Sequence, residues 1–392
     1  MHKILTLNEI AVEGLRHLPR KHFEVASEIA HPDAILLRSY DMHDMDIPET
    51  VAAIGRAGAG TNNIPVAAMS RRGIPVFNAP GANANAVKEL AIAGLLIAAR
   101  NICNAREYVK SLNATGDTLE KAVEAGKKQF VGFELPGKTL GVIGLGSIGV
   151  EVANAALALG MNVIGFDPKI TVRRAWQLSA GVDHSETLDQ LFQKSDAVTL
   201  HVPLVEETRG LVSRDRLALL PKHAVLVNFA RGGVVDNDAV LDALDNGNLH
   251  TYVCDFPTPE LIAHQKVVVL PHLGASTAEA EENCAIMVAE NLKEYLENGN
   301  IRCSVNFPEA RMPRLDAWRI TIANANVPNM VGQISTCLAN ANLNIEDLLN
   351  KSIGDLAYTI VDVNDEVSDK TLAEIRAIDG VLTLRNLGKP VT

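Results

Sequence analysis

No run of this sequence stays apolar for the roughly 18 residues that a membrane span requires, so no transmembrane segment is expected. Cysteine is sparse as well. Its five positions, Cys103, Cys254, Cys284, Cys303 and Cys337, are scattered without a Cys-x-x-Cys pair. That spacing excludes a disulfide scaffold and points to a reduced, cytoplasmic protein. The eleven histidines show no ligand spacing, so no metal is expected. Positive charge is in deficit: 36 Lys and Arg against 47 Asp and Glu leave a net charge of −11. This balance disfavours nucleic acid and anionic membrane surfaces as partners. The opening residues, Met1-His2-Lys3-Ile4-Leu5, begin a strand at once and show no signal peptide.

What is present is one organising stretch, Lys138-Thr139-Leu140-Gly141-Val142-Ile143-Gly144-Leu145-Gly146-Ser147-Ile148-Gly149. It reads as a buried strand, a glycine turn and a helix start. In Gly144-x-Gly146-x-x-Gly149 the first glycine makes the tight turn, the second admits a pyrophosphate close to the backbone, and the third lets the helix pack on the strand. The N–H groups of the helix start then face the anion. The helix runs over Val150–Leu159 and stops at Gly160. A second strand, Asn162–Phe166, ends in Asp167, where a carboxylate meets the adenine ribose of a dinucleotide. An acid at that place favours NAD over NADP; Lys169, Arg173 and Arg174 close behind it either offset that preference or form a solvated surface cluster.

At 392 residues and 47% hydrophobic content, two or three domains with real cores are expected. Residues 1 to about 80 alternate short strands and helices. The loop Arg56-Ala57-Gly58-Ala59-Gly60 follows a strand and offers open N–H groups for a carboxylate, or it is a plain turn. A long helical stretch covers residues 83–113, and 114–136 is polar and unassigned. From 137 to 271, strands at 139–143, 162–166, 197–202, 223–230, 250–256 and 266–271 alternate with helices, as in a doubly wound parallel sheet. A helix over 276–297 follows. Residues 303–317 read as a linker. From 318 the order βαββαβ reads as a small ferredoxin-like domain.

The carboxyl ends of three successive strands carry ionisable groups: Arg231, then Asp255 with Glu260, then His272. In open α/β sheets that edge is where ligands bind. Hydride transfer at an alcohol carbon needs a proton moved on the adjacent oxygen, which suits His272. Glu260 is expected to hold the other imidazole nitrogen and favour its charged form. Arg231 suits a substrate carboxylate, bound bidentately. Taken singly, each has a plainer explanation as a loop histidine, an ion-pair anchor or a surface acid.

Together, Gly144-Leu145-Gly146-Ser147-Ile148-Gly149, Leu200-His201-Val202-Pro203-Leu204, Asn228-Phe229-Ala230-Arg231-Gly232-Gly233 and Pro271-His272-Leu273-Gly274-Ala275-Ser276 resemble the D-isomer-specific 2-hydroxyacid dehydrogenase family. The resemblance implies Arg231, Glu260 and His272 as the catalytic set. It implies NAD as cofactor, with contacts at Gly144, Gly146, Ser147, Ile148, Gly149, Asp167, Pro203, Ala230, Asp255, Gly274 and Ala275. It also implies two doubly wound βα domains, an outer substrate domain (residues 1–100 and 275–302) and a Rossmann NAD domain (101–274). One departure stands out: the family's Asp-Val-Phe-x-x-Glu-Pro is here Asp255-Phe256-Pro257-Thr258-Pro259-Glu260-Leu261.

Within the family, the Arg56 loop and the C-terminal unit (318–392), which is similar to an ACT domain, most resemble members that oxidise D-3-phosphoglycerate in L-serine synthesis. That likeness implies Arg56, Ala57, Gly58 and Arg38 as substrate-binding residues. It implies Asn324, Asn326 and Asn344 as regulatory residues for L-serine as effector. It also implies a homo-oligomer, dimer or tetramer. The usual pattern has His where this chain has Asn324 and Gly where it has Asn329. A glyoxylate or hydroxypyruvate reductase and a NAD-sensing corepressor are the competing expectations.

Overall fold

The structure is a computed structural model and describes residues 1–390. The chain forms two compact units, Met1–Asn83 together with the chain from Ala278 onward, and Ala84–Thr277. The boundary expected near residue 100 falls instead at 83/84, because the helix Ala84–Ala99 packs within the second unit. Its Gly94 lies so close to the Phe229 ring that an added Cβ would meet it at 3.0 Å.

The first unit holds a five-stranded parallel sheet in the order Phe23–Ala26, His2–Leu7, Ala34–Leu37, Ala53–Arg56, Val76–Phe77. Ala34-Ile35-Leu36-Leu37 is buried throughout, as a strand covered on both faces must be. The edge strand Phe23–Ala26 escapes sequence reading, since it is only four residues long and one of them is an acid. The helix Ala278–Asn298 lies across this sheet. A Cβ on Gly55 would meet Val288 Cγ1 at 2.5 Å and Leu292 Cδ1 at 2.8 Å. Burying such Val and Leu side chains contributes about 1.5–3 kcal/mol each.

The same unit carries an antiparallel sheet in the order Ile345–Ile353, Leu356–Val363, Trp318–Ala325, Val381–Gly388. Helices Met330–Asn340 and Asp369–Arg376 cover one face, burying Ile334, Leu338, Leu372 and Ile375 against Ile320, Ile322, Val361 and Val363. The opposite face meets the end of the helix Ala278–Asn298. Arg385 donates to the carbonyls of Tyr295 and Leu296 (both 2.9 Å), Arg319 to that of Asn298 (3.0 Å), and the Tyr358 hydroxyl to that of Gly299 (2.7 Å). Leu296 and Asn298 lie in the last turn, whose carbonyls a helix end leaves without intrahelical partners; the Tyr295 carbonyl also accepts from Gly299 N–H. Cations there also suit the helix dipole. Residues 303–317, expected as a linker, are tied down: Val305 N–H donates to Val76 O, and Asn306 bonds the backbone of Ile74 and Val76.

The second unit is a seven-stranded parallel sheet in the order Val267–Val269, Leu249–Cys254, Ala224–Asn228, Ala197–Leu200, Thr139–Ile143, Asn162–Phe166, Val182–His184. The strand order reverses beside Thr139–Ile143, and the crevice outside its carboxyl end is the ligand position of such sheets. The helical stretch expected over 83–113 is two helices. Asn101, at φ 52°, turns left-handed between Ala84–Ala99 and Ile102–Ser111. The unassigned stretch 114–136 contains the helix Gly116–Gly126.

Candidate active site

Sterics dictate the first and third glycines of the turn but not the second. Gly144 has φ +89°, and a Cβ there would lie 2.7 Å from the His201 carbonyl oxygen. A Cβ on Gly149 would lie 1.9 Å from the Gly144 carbonyl oxygen. A Cβ on Gly146 would meet nothing within 4 Å. Gly146 therefore is not demanded by protein packing; it leaves open space at the start of the twelve-residue helix Ser147–Ala158, which no side chain caps. The N–H groups of Ser147, Ile148 and Gly149 stand in the first turn, where an anion is favoured. Asp167 accepts a hydrogen bond from Leu145 N–H at 2.8 Å and one from Lys169 N–H at 2.8 Å. Lone pairs remain on both oxygens for ribose hydroxyls.

Along the neighbouring strand ends, Asn228 is fully buried and shapes the turn that presents Arg231. Its side chain accepts from Ala230 N–H (3.1 Å) and donates to Arg231 O (3.0 Å) and the Tyr252 hydroxyl (3.3 Å). Arg231 itself is exposed, with its guanidinium donating to Ala230 O at 2.6 Å. Asp255 is only 2% exposed, and neither carboxylate oxygen has a hydrogen-bond partner. Burial raises its pKa, against the pull of the nearby His272 and Arg231 charges. His272 is exposed and packs tilted against Phe256, with ring centroids 4.9 Å apart and planes at 56°. Gly274 is buried, Ala275 half-buried, and Pro203 exposed at its own strand end.

Glu260 is not brought to His272. Thr258 caps the helix Pro259–Ala263, accepting from Leu261 N–H, and Pro259 is its first residue. Thr-Pro-Glu is a helix-start signature, with cap, φ-fixing proline and a dipole-matched acid. Glu260 accordingly sits fully exposed in that first turn, its pKa lowered by its own backbone N–H and by the Thr258 hydroxyl. The expectation that it holds the imidazole is corrected: in this structure the residue against the imidazole is Phe256. Phe256, against the His272 ring, and Asn228, bonded to the Arg231 carbonyl, are positions with no signal in residue type alone. Phe256 lies in the segment that departs from the family pattern, which was the available signal.

In the first unit, Arg56 donates through Nε to Arg38 O at 3.0 Å, and its guanidinium lies over Gly58. Ala57 is 5% exposed. Arg38 is paired with Glu281 at 2.8 Å. Arg72 donates to the carbonyls of Ile47 and Pro48, both at 2.9 Å. In the antiparallel part, Asn324 is 1% exposed; its amide donates to Ala325 O at 2.7 Å and its Oδ1 has no partner. Asn326 donates to Gly354 O at 3.0 Å, and Asn344 is exposed. Among the described residues no group of acids, histidines and cysteines could hold a metal, and no helix is long and apolar enough to cross a membrane.

The uncapped helix start, the space over Gly146, the Asp167 carboxylate and the unpartnered Asp255 oxygens fit a nicotinamide dinucleotide. Fold and site therefore define a Rossmann-type dehydrogenase. Residues 92–274 match the family of D-isomer specific 2-hydroxyacid dehydrogenases, in its NAD binding domain. The chain is 33% identical over 353 residues to the D-3-phosphoglycerate dehydrogenase of Haemophilus influenzae, covering 86% of this chain and 81% of that one. It is 35% identical over 352 residues to the D-3-phosphoglycerate dehydrogenase of Methanocaldococcus jannaschii, covering 87% of this chain and only 63% of that longer one. Among solved structures, the cofactor(NAD+)-bound 3-phosphoglycerate dehydrogenase of Entamoeba histolytica aligns over 78% of this chain and 98% of its own, with TM-score 0.60 and 25% identity. The apo D-mandelate dehydrogenase of Rhodotorula graminis shares the fold over 80% of this chain and 99% of its own, with TM-score 0.67 and 22% identity. The chain belongs to the D-isomer-specific 2-hydroxyacid dehydrogenase family.

Proposed function

We propose that the chain catalyses the NAD-dependent oxidation of D-3-phosphoglycerate to 3-phosphohydroxypyruvate, the first step of L-serine biosynthesis. The observation that carries this is the placing of Arg231, Asp255 and His272 past adjacent strand ends of the sheet that bears the glycine turn. The substrate is supported by relatives named for it at 33–35% identity.

When bound, NAD supplies nicotinamide C4 as the hydride acceptor. The first-turn N–H groups of Ser147, Ile148 and Gly149, beside Gly144 and Gly146, hold its pyrophosphate. Asp167 accepts from its ribose, and Asp255 accepts from its nicotinamide end. Pro203, Ala230, Gly274 and Ala275 line the rest. Arg231 clamps the substrate carboxylate through its planar pair of donors and polarises the adjacent oxygen. An imidazole nitrogen of His272 takes the hydroxyl proton as the carbon gives up its hydride. The imidazole thereby becomes imidazolium and Asp255 supplies a facing negative charge. In the first unit, Arg56, Ala57 and Gly58, with Arg38, are the proposed anion-binding loop.

The antiparallel part is proposed to be a ferredoxin-like ACT module, a reading supported by its βαββαβ order and by the strand order given above. Asn324, Asn326 and Asn344 would take L-serine there. The unpartnered Oδ1 of buried Asn324 supports a ligand donor at that place. Pairing of such modules makes the protein a homo-oligomer, dimer or tetramer, in the cytoplasm.

The test is NADH formation from D-3-phosphoglycerate, with and without L-serine, for wild type and His272→Ala. Turnover lost in the variant and lowered by serine supports both the catalytic and the regulatory assignment. Turnover indifferent to serine leaves the module structural. A second reading, a glyoxylate or hydroxypyruvate reductase, is favoured by one observation: Arg38 and Arg72 are already engaged with Glu281 and with carbonyls, which leaves fewer cations for a phosphate. NADH oxidation with glyoxylate, and none of the phosphoglycerate reaction, would establish that reading instead.

A further inference from the structure

The family pattern gives the catalytic histidine a carboxylate partner, and this chain has moved that carboxylate into a helix start. An imidazole that must accept and release a proton still needs a fixed plane. Three consecutive strand ends supply one. After Ala224–Asn228 comes Gly232, after Leu249–Cys254 comes Phe256, and after Val267–Val269 comes His272. A Cβ on Gly232 would lie 3.1 Å from Phe256 Cβ and 3.6 Å from its Cγ, so the missing side chain is what lets Phe256 settle there. Phe256 in turn meets His272, at 4.9 Å between centroids and 56° between planes. Tilted aromatic pairs of this kind are attractive through their quadrupoles. The attraction grows when one ring is a cation. The contact holds the imidazole in one plane beside the Phe256 ring.

We propose that Phe256 is the positioning residue for His272, performing by ring packing the task that the family pattern gives to the acid at Glu260. The charge that complements the imidazolium then comes from Asp255, one residue before the ring. Its carboxylate is buried without hydrogen-bond partners, and its charge interacts with both His272 and Arg231. This inference rests on the proposed role of His272 as the proton-carrying group.

The experiment compares full-length Phe256→Ala, Phe256→Tyr, Glu260→Gln and His272→Gln with wild type. Turnover is followed with D-3-phosphoglycerate and NAD, and with glyoxylate and NADH. NADH affinity is measured by fluorescence titration, and the His272 ring protons are read by NMR on the protein labelled at histidine. Phe256→Ala is expected to lose at least tenfold in kcat, with NADH affinity and substrate KM within about twofold. Phe256→Tyr restores most of the loss, and Glu260→Gln stays within about twofold of wild type. The His272 ring protons show a ring-current shift that Phe256→Ala removes and Phe256→Tyr keeps, whatever the activities. A Phe256→Ala enzyme within threefold of wild type, a Glu260→Gln loss as large as that of Phe256→Ala, or an unshifted His272 resonance overturns the inference. If His272→Gln retains wild-type turnover, the proton-carrying role itself is wrong, and the positioning role goes with it. If His272→Gln is inactive while Phe256→Ala is fully active, only the positioning role fails.

Discussion

The Asp167 carboxylate accepts from the Leu145 backbone N–H at 2.8 Å, closing the glycine turn onto the end of the next strand. Its other oxygen accepts from Lys169 N–H. One acid therefore shapes the turn, and the same acid is the one proposed to bind the cofactor ribose. Asp167→Ala is expected to weaken NADH binding at least tenfold, about 1.4 kcal/mol or more. Asp167→Ser, with Lys169, Arg173 and Arg174 close by in sequence, is expected to raise the NADPH-to-NADH affinity ratio. Fluorescence titration with both nucleotides checks this. An unchanged ratio would show that Asp167 does not discriminate between them.

Gly149 and Gly146 look alike in the sequence but have separate physical reasons. An alanine at 149 would drive its Cβ to 1.9 Å from the Gly144 carbonyl, which is backbone and cannot yield cheaply. Gly149→Ala is expected to cost about 2–3 kcal/mol of stability. An alanine at 146 has open space around it in the protein. Gly146→Ala should cost under about 1 kcal/mol, the penalty for a poorer helix cap. Yet it should weaken NADH binding tenfold or more, because its Cβ enters the space proposed for the pyrophosphate. Thermal melting paired with NADH titration separates the two; equal losses of stability would contradict the distinction.

The same contrast explains what was legible in the sequence. The glycine turn, Asp167, Arg231 and His272 could be placed because strand ends and turns are fixed by local sterics and by apolar runs. The alternation of elements gave both parallel sheets and the βαββαβ order. The surroundings of Glu260 are not legible from its offset to Asp255, because Thr258 and Pro259 start a helix there. The Phe256–His272 contact depends on three strand ends meeting and has no local signature. Asn101 broke a helix that composition alone continued, since its left-handed φ of 52° is a choice of one residue. The short edge strands Phe23–Ala26 and Val182–His184 carry too little pattern to stand out.

Arg319 and Asp362 are both fully buried and meet through Nε–Oδ1 at 2.6 Å and Nη2–Oδ2 at 2.7 Å. The remaining guanidinium donors reach the carbonyls of Asn298, Met312 and Pro313. This fork joins the antiparallel sheet to the end of the helix Ala278–Asn298. Removing one partner strands a buried charge, so Arg319→Met is expected to cost about 3–5 kcal/mol. Arg319→Met combined with Asp362→Leu should recover a large part, since neither charge is then stranded. Urea denaturation of the single and double variants tests this. A double variant no more stable than the single would mean that the carbonyl bonds, not the stranded carboxylate, carry the cost.

His201 follows the strand Ala197–Leu200, and its Nε2 lies 3.0 Å from the Thr199 hydroxyl. Its residue keeps some surface, but the imidazole is enclosed, and burial alone holds its pKa down to about 4 from 6.5. The unfolded chain therefore binds this proton more tightly than the folded one between those values. Stability linked to His201 is fully present above about pH 6.5 and is lost as pH falls toward 4. The shift bounds the loss at roughly 3 kcal/mol. His201→Gln keeps a polar partner for Thr199 and does not titrate. Its unfolding free energy should lose this component between pH 6.5 and 4, while matching wild type more closely above pH 7. Parallel denaturation series across that range decide it: identical acid limbs in the two proteins would show that His201 is not the group whose protonation destabilises the fold.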